Sequence, residues 1–360
     1  MRKVVLKAQD FDGYLTTEDK TSIKFMDDKY SEAMRYFEIL DRNEVTPKEE
    51  QQAKEKLISL YNEMGKMMQS ITSKEPNIHV YSFETPESIH GEASRLIAKL
   101  RDLKTEHPEF IYYIQRAYEL LFNLAFGSTS NDKKNYIFVK TAVDIPVQNY
   151  AVHKIPDIDD KIKNSVMCVM LRGALLPSMI MSKEIQEYSS NKYLTPFALF
   201  KIHRDDTKEE HNMEYILDLD RSHFEFEQLD GKDLIFADPM NATGGSLITI
   251  IQYLREKKVK PRSVKFFNVI SVLKGSLRIV RAIDNAEVYT LWMDPALNKK
   301  AYILPGLGDA GDRINGVDDE NDPRDIIRLI ADYGVNITSL YKSQIGKIEE
   351  TVLRSKSDCP

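Results

Sequence analysis

The chain predicts an α/β protein: a mainly parallel sheet flanked by helices, with helical additions at the N- and C-terminal ends. Three observations carry that prediction. Short runs of β-branched and apolar residues recur through the middle of the chain. Helical patterns lie between several of them, as parallel strands require of their connections. Residues 1–76 and 317–360 instead show helical spacing.

Taken in order, Tyr30, Ala33, Met34, Phe37 and Leu40 repeat at helical spacing. Thr46 then reads as an N-cap, with Pro47 at the first helical position and Glu49 closing a capping box. Leu57, Leu60, Met64, Met67 and Ile71 step by three and four, so an antiparallel helix pair or a docking arm is expected. Ile78 to Phe83 reads as a strand, and a helix carries Leu96, Ile97, Leu100 and Leu103. Pro108 interrupts that pattern before a second helix from about Glu109 to Phe126, and Gly127 to Lys134 reads as a polar loop. Strands are expected at Tyr136–Val143, Val166–Leu171, Phe197–Ile202, Leu234–Ala237, Val264–Ile270 and Val288–Trp292. Helices are expected at Ser246–Lys257 and Leu277–Ile283. After an acidic stretch opening at Asp318, two more are expected near Asp325–Tyr333 and Ser339–Leu353.

Composition excludes several functions. Of 360 residues 42% are apolar and 29% charged, too apolar for wholesale disorder, and the net charge of −6 argues against a coat for nucleic acid. No run reaches the ~18 apolar residues of a membrane-spanning helix; the longest candidate, Val166 to Met181, is broken by Arg172 and Pro177. Two cysteines, Cys168 and Cys359, cannot make a disulfide framework, and the seven histidines fall at no metal-ligand spacing. A cytoplasmic protein with no resident metal, no nucleic acid and no membrane contact is the expectation.

The most informative segment is Asp238-Pro239-Met240-Asn241-Ala242-Thr243-Gly244-Gly245-Ser246, between an apolar strand and an apolar-periodic helix. Its chemistry is that of an anion cradle. The two glycines let backbone N–H groups approach a phosphate, Thr243 and Ser246 add hydroxyl donors, and the helix mouth adds partial positive charge. Asp238, at the strand's carboxyl end, suits sugar hydroxyls. No lysine follows the glycines, so this is not a Walker A loop. A plain tight turn capped by Ser246 is the alternative.

A second glycine loop runs Ala301-Tyr302-Ile303-Leu304-Pro305-Gly306-Leu307-Gly308-Asp309-Ala310-Gly311-Asp312-Arg313. Its glycine spacing formally fits a dinucleotide fingerprint, but Pro305 precedes the first glycine and no apolar-periodic helix follows Gly311. Such a loop can instead offer bare backbone N–H and C=O groups to a flat polar ligand such as a pyrimidine.

Together the two loops resemble the signature segments of uracil phosphoribosyltransferases, written DPMLATGGS and GYIVPGLGDAGDR in that family. Weaker similarity extends over roughly Ile78 to Gly316: Val169–Arg172 is similar to the pyrophosphate-loop strand, and Asp294 with Leu297-Asn298 to the lead into the base loop. The resemblance implies a phosphoribosyltransferase-type fold with 1–76 as a helical N-terminal extension, 77–316 as the uracil phosphoribosyltransferase-like domain and 317–360 as a helical C-terminal extension. It implies that Asp238 to Ser246 hold the ribose hydroxyls and 5′-phosphate of phosphoribosyl pyrophosphate (PRPP). Arg172 and Arg204 would face the pyrophosphate. Ile303, Gly308, Asp309 and Ala310 would contact uracil through the backbone, with Asp309 also near the sugar or its Mg²⁺-bound pyrophosphate. Asp238, Arg172 and Asp309 are thus the candidate catalytic residues, and Mg²⁺ is expected to arrive with PRPP.

This chain departs from the family pattern in places. Its pyrophosphate loop is Leu171-Arg172-Gly173-Ala174-Leu175-Leu176-Pro177 where the family writes LRAGLGM. Arg204-Asp205-Asp206-Thr207 is one residue shorter than usual between arginine and threonine, Asn241 replaces an apolar residue, and Leu124 stands where glutamate is common. The implied function is transfer of phosphoribose to uracil, giving UMP and pyrophosphate, by a homo-oligomer, dimer or higher. A nucleotide- or PRPP-binding regulatory protein without turnover, or a transferase for another acceptor, are the alternatives.

Overall fold

The computed structural model describes residues 2–127, 133–143, 149–316, 326–333 and 341–357. In chain order its strands are β1 (Lys3–Lys7), β2 (Ile78–Val80), β3 (Lys134–Lys140), β4 (Tyr150–Pro156), β5 (Ser165–Leu171), β6 (Phe197–Arg204), β7 (Glu214–His223), β8 (Asp233–Ala237), β9 (Met240–Asn241), β10 (Ser263–Val272), β11 (Ala286–Asp294), β12 (Ala296–Leu297) and β13 (Ile303–Leu304). One sheet takes the order β1-β7-β6-β5-β8-β10-β11-β2, with β9 beside β10. Pairings from β6 through β2 are parallel; β7 and β1 run antiparallel at one edge. The α/β expectation with a mainly parallel sheet is therefore met.

Strands β5 and β8 are buried at every position. That is the mark of central parallel strands covered on both faces, and it explains their unbroken apolar sequence. From β5 the chain moves to β6 on one side, whereas β8 is followed by β10 and β11 on the other. The order thus reverses between β5 and β8. In such sheets the carboxyl ends at the reversal splay loops apart and leave a crevice.

The elements differ from the expectation in instructive ways. Residues 1–76 are not wholly helical, because β1 pairs with β7 and Ala8 and Phe11 join the main core. The helices Thr17–Leu40 and Pro47–Thr72 form as expected, and Glu49 N–H donates to Thr46 Oγ1 at 3.3 Å in the second one's capping box. They lie on the sheet domain, with Met26, Tyr30, Met64 and Met68 packed among Leu273, Leu277 and Met293. Arg281 pins the start and the end of this helix pair, donating to Asp19 at 3.2 Å and Glu75 at 2.8 Å.

Ile78 to Phe83 is a strand only to Val80, since Tyr81–Glu84 is already helical. Leu103 lies past the end of the helix Glu87–Arg101 and is fully exposed. Pro108 does not interrupt the next helix. It sits in the first turn of His107–Phe122, where its missing N–H is not needed. Strands β4 and β7 and the helix Leu175–Tyr188 were not expected. At the C-terminal end helices span Ile326–Asp332 and Lys342–Ser357, and Ile348 and Val352 are buried. Cys168 is free and wholly buried. Cys359 and the acidic stretch at Asp318 lie outside the described residues, and no described helix is long and apolar enough to cross a membrane.

Candidate active site

A cleft of about 540 Å³ opens at the β5/β8 reversal. Arg172, Arg204, all of Asp238 to Ser246, and Ile303, Gly308, Asp309 and Ala310 line it together. The two glycine loops, some sixty residues apart in sequence, thus face one cavity.

The first loop is locked from beneath. Gly244 caps the helix Gly245–Glu256 with φ +74°, a left-handed conformation that disfavours any side chain. Gly244 has no side chain to cap that helix, and Thr243 Oγ1 accepts from the Gly245 N–H at 3.3 Å, so the mouth is open to an anion beside the Thr243 hydroxyl. A Cβ on Gly245 would fall 2.2 Å from the Tyr215 ring, and a Cβ on Gly275 would fall 2.5 Å from the Ala242 carbonyl oxygen. Close approach of strand β7 and of the helix Leu273–Ala282 therefore sets the loop's shape. The Tyr215 hydroxyl lies 2.5 Å from Thr243 Oγ1, and burial raises its phenol so that it keeps its proton. A buried polar chain continues below. Asn268 Nδ2 donates to the Asp238 carbonyl at 2.9 Å, Ser271 Oγ donates to Asn268 Oδ1 at 3.2 Å, and Asn241 Nδ2 donates to Ser271 Oγ at 3.3 Å. Asn241, the departure from the family's apolar residue, is thus part of the loop's support.

Asp238 accepts from the Met240 N–H at 3.1 Å. Burial pushes its carboxyl up to about 7; Asp309 across the cleft adds to the rise and Arg204 opposes it. Such a carboxyl can hold a proton or accept from hydroxyls near neutrality.

The second loop is a self-made turn pinned by charge. Gly306 has φ +67°, and a Cβ there would lie 2.3 Å from Ile303 O. Asp294, wholly buried, accepts from the Gly306 N–H at 3.0 Å and from Arg101 at 2.5 Å. Arg313 stacks on Phe110 at 4.0 Å and donates to the carbonyls of Leu307 at 2.9 Å and Thr105 at 3.2 Å. Asp309 caps the helix Ala310–Asn315, accepting from the Asp312 N–H at 2.9 Å.

The two arginines are already engaged. Arg172 donates to Asp312 at 2.5 Å and to the Gly316 carbonyl, tying the end of β5 to the second loop. Arg204 donates to the Ala301 carbonyl at 3.2 Å and stacks on Tyr302 at 5.1 Å. Tyr215, Asn268, Gly275, Arg101 and Tyr302 were not among the sequence candidates. The first four act on the loops from distant elements, so no local motif marks them, whereas Tyr302 lies inside the second loop and is revealed by the Arg204 guanidinium over its ring.

Residues 88–316, well over half the chain, match the uracil phosphoribosyltransferase family. The chain belongs to that family. Curated relatives named uracil phosphoribosyltransferase include one from Campylobacter concisus, 49% identical over 80 residues, which are 22% of this chain and 38% of the relative. Another, from Polaromonas naphthalenivorans, is 42% identical over 90 residues, 25% of this chain and 42% of the relative. The matched stretch is thus well under half the length of either relative. Among solved structures, an Aquifex aeolicus protein aligns at TM-score 0.45 and 23% identity, covering 63% of this chain and 96% of its own. A Mycobacterium tuberculosis orotate phosphoribosyltransferase in complex with PRPP aligns at TM-score 0.32 and 11% identity, covering 60% and 95%. The cleft between the two loops lies wholly within the matched residues.

Proposed function

We propose that this chain transfers the phosphoribosyl group of PRPP to uracil, releasing UMP and pyrophosphate. The observation that carries the reading is the meeting of the two loops across one cleft, an anion cradle facing a turn that offers backbone to a flat base. The 5′-phosphate would sit at the mouth of the helix Gly245–Glu256, with Thr243 and Ser246 as hydroxyl donors. Asp238 would receive the ribose hydroxyls. Uracil presents alternating acceptors and donors, which the N–H and C=O groups of Ile303, Gly308, Asp309 and Ala310 suit. In the transfer, uracil N1 bonds to the anomeric carbon as the carbon–oxygen bond to pyrophosphate breaks; pyrophosphate leaves with the electron pair, and the N1 proton passes to water or to the departing pyrophosphate. Alignment and charge stabilisation do most for such a displacement.

The described residues hold no cluster of three or more histidine, cysteine or carboxylate side chains able to bind a metal. A Mg²⁺ carried in by PRPP would be shared with the Asp309 carboxylate and would neutralise charge on the leaving diphosphate. The apolar outer face of the β3–β4 ribbon supports a homo-oligomer: Tyr136, Phe138, Tyr150 and Val152 are all exposed there.

One observation favours a second reading, binding without turnover: the Arg172 guanidinium is bonded to Asp312. Incubation with uracil, PRPP and Mg²⁺ separates the two, with cytosine and orotate as competing acceptors. UMP formation is expected; PRPP binding with no nucleotide product would favour the second reading.

A further inference from the structure

We propose that Phe11 and Asp12, in the N-terminal addition, are positioning residues of the phosphate cradle, which the addition supports from behind. The inference rests on the reading of Asp238–Ser246 as the PRPP phosphate site. After β1 the chain turns through the short helix Ala8–Asp12, and the Ala8 N–H donates to the Met213 carbonyl at 2.9 Å. This places two consecutive residues against two different supports of Thr243. The Phe11 ring, wholly buried, lies 5.7 Å from the ring of Tyr215, whose hydroxyl meets Thr243 Oγ1. The Asp12 carboxylate accepts from Arg278 Nη2, while Arg278 Nη1 donates to the Thr243 carbonyl at 3.4 Å. Side chain and backbone of one cradle residue are therefore both backed by residues 11 and 12.

The charge balance explains why Asp12 matters. Arg278 has no exposed surface, so its guanidinium needs a matching anion to stay in place. Asp12 supplies one and Glu210, at 3.4 Å, the other. Its Nε has no partner among the described residues, so little else holds the group. Without the Asp12 charge, the guanidinium would turn toward Glu210 and away from Thr243. Asp12 itself is partly exposed, which lets it be neutralised without leaving a core void.

The test uses the full chain with Asp12→Asn, the conservative Asp12→Glu, and Lys24→Gln as a control on the same addition. Calorimetry with Mg²⁺ gives PRPP affinity, and UMP formation gives kcat and the uracil KM. Asp12→Asn is expected to weaken PRPP binding about tenfold with the uracil KM unchanged, and Asp12→Glu to recover part of it. PRPP affinity equal to wild type in Asp12→Asn overturns the proposal, as does parallel loss of PRPP affinity, uracil KM and melting temperature. Amide hydrogen exchange of the ligand-free protein is the second readout. Faster exchange at Thr243–Ser246, with Leu307–Gly308 unchanged, is expected for Asp12→Asn. Should wild type bind no PRPP, the functional reading fails, and exchange then decides the positioning alone: equal protection overturns it.

Discussion

The two glycine loops of the cleft are built by opposite means. The loop Asp238–Ser246 is shaped by neighbours from other elements, with Tyr215 of β7 and Gly275 of the helix Leu273–Ala282 pressed against it. The loop Ile303–Arg313 is closed on itself, since the atom that crowds Gly306 is its own Ile303 carbonyl. Asp294 and Arg313 then hold it by charge. The phosphate side is thus specified mainly by space, with one buried charge pair behind it, and the base side by a turn and a few charged ties. A small increase in volume should ruin the first, and loss of a charge should loosen the second.

The largest expected effect follows from volume. Gly245→Ala drives a methyl into the Tyr215 ring, so PRPP affinity should fall about a hundredfold or more, as overpacking with no room to relax demands. Gly306→Ala should raise the uracil KM steeply while PRPP still binds. Calorimetry with each ligand separates the two, and equal damage to both ligands from either change would break the comparison.

Next comes charge. Among the described residues, Arg101→Met leaves the buried Asp294 carboxylate with only the Gly306 N–H, and should cost about 3 kcal/mol in urea unfolding. The uracil KM should rise in the same variant. Intact stability would show that the base loop does not rely on that pair.

A pH effect of moderate size belongs to Asp238. Its carboxyl is pushed from 3.8 up to about 7 in the folded protein, so the native state holds a proton there that the unfolded chain releases at lower pH. Its contribution to stability is therefore most favourable below about 4 and is lost as pH rises toward 7. Asp238→Asn should remove that decline, gaining about 3 kcal/mol on wild type between pH 4 and pH 7 in the ligand-free protein. Parallel stability profiles would contradict the assignment. The smallest effect on chemistry is expected from Phe138→Asp on the β3–β4 ribbon, which should lower the mass in solution and leave PRPP affinity unchanged. An unchanged mass would place the oligomer interface elsewhere.

The sequence already showed the sheet's centre and both loops, because each is a continuous local pattern. The strands β5, β8 and β10 read as apolar runs because both their faces are covered. Strand β7 escaped notice: Glu214-Tyr215-Ile216-Leu217-Asp218-Leu219-Asp220 carries the acids of a strand near the sheet's edge. Strand β1, five residues with two lysines facing out, was too short to stand apart from a helical preface. Arg278 looked like an ordinary arginine on an amphipathic helix, and only the approach of Asp12 from 266 positions away reveals a buried charge. The local signals named the loops, and what holds the loops was written in distant residues.

The most direct measurement is pyrophosphate release from PRPP with Mg²⁺, run with and without uracil alongside quantification of UMP. A cleft that joins a phosphate cradle to a base loop predicts release only when uracil is present, matched one to one by UMP. PRPP binding with no pyrophosphate released for uracil would contradict it.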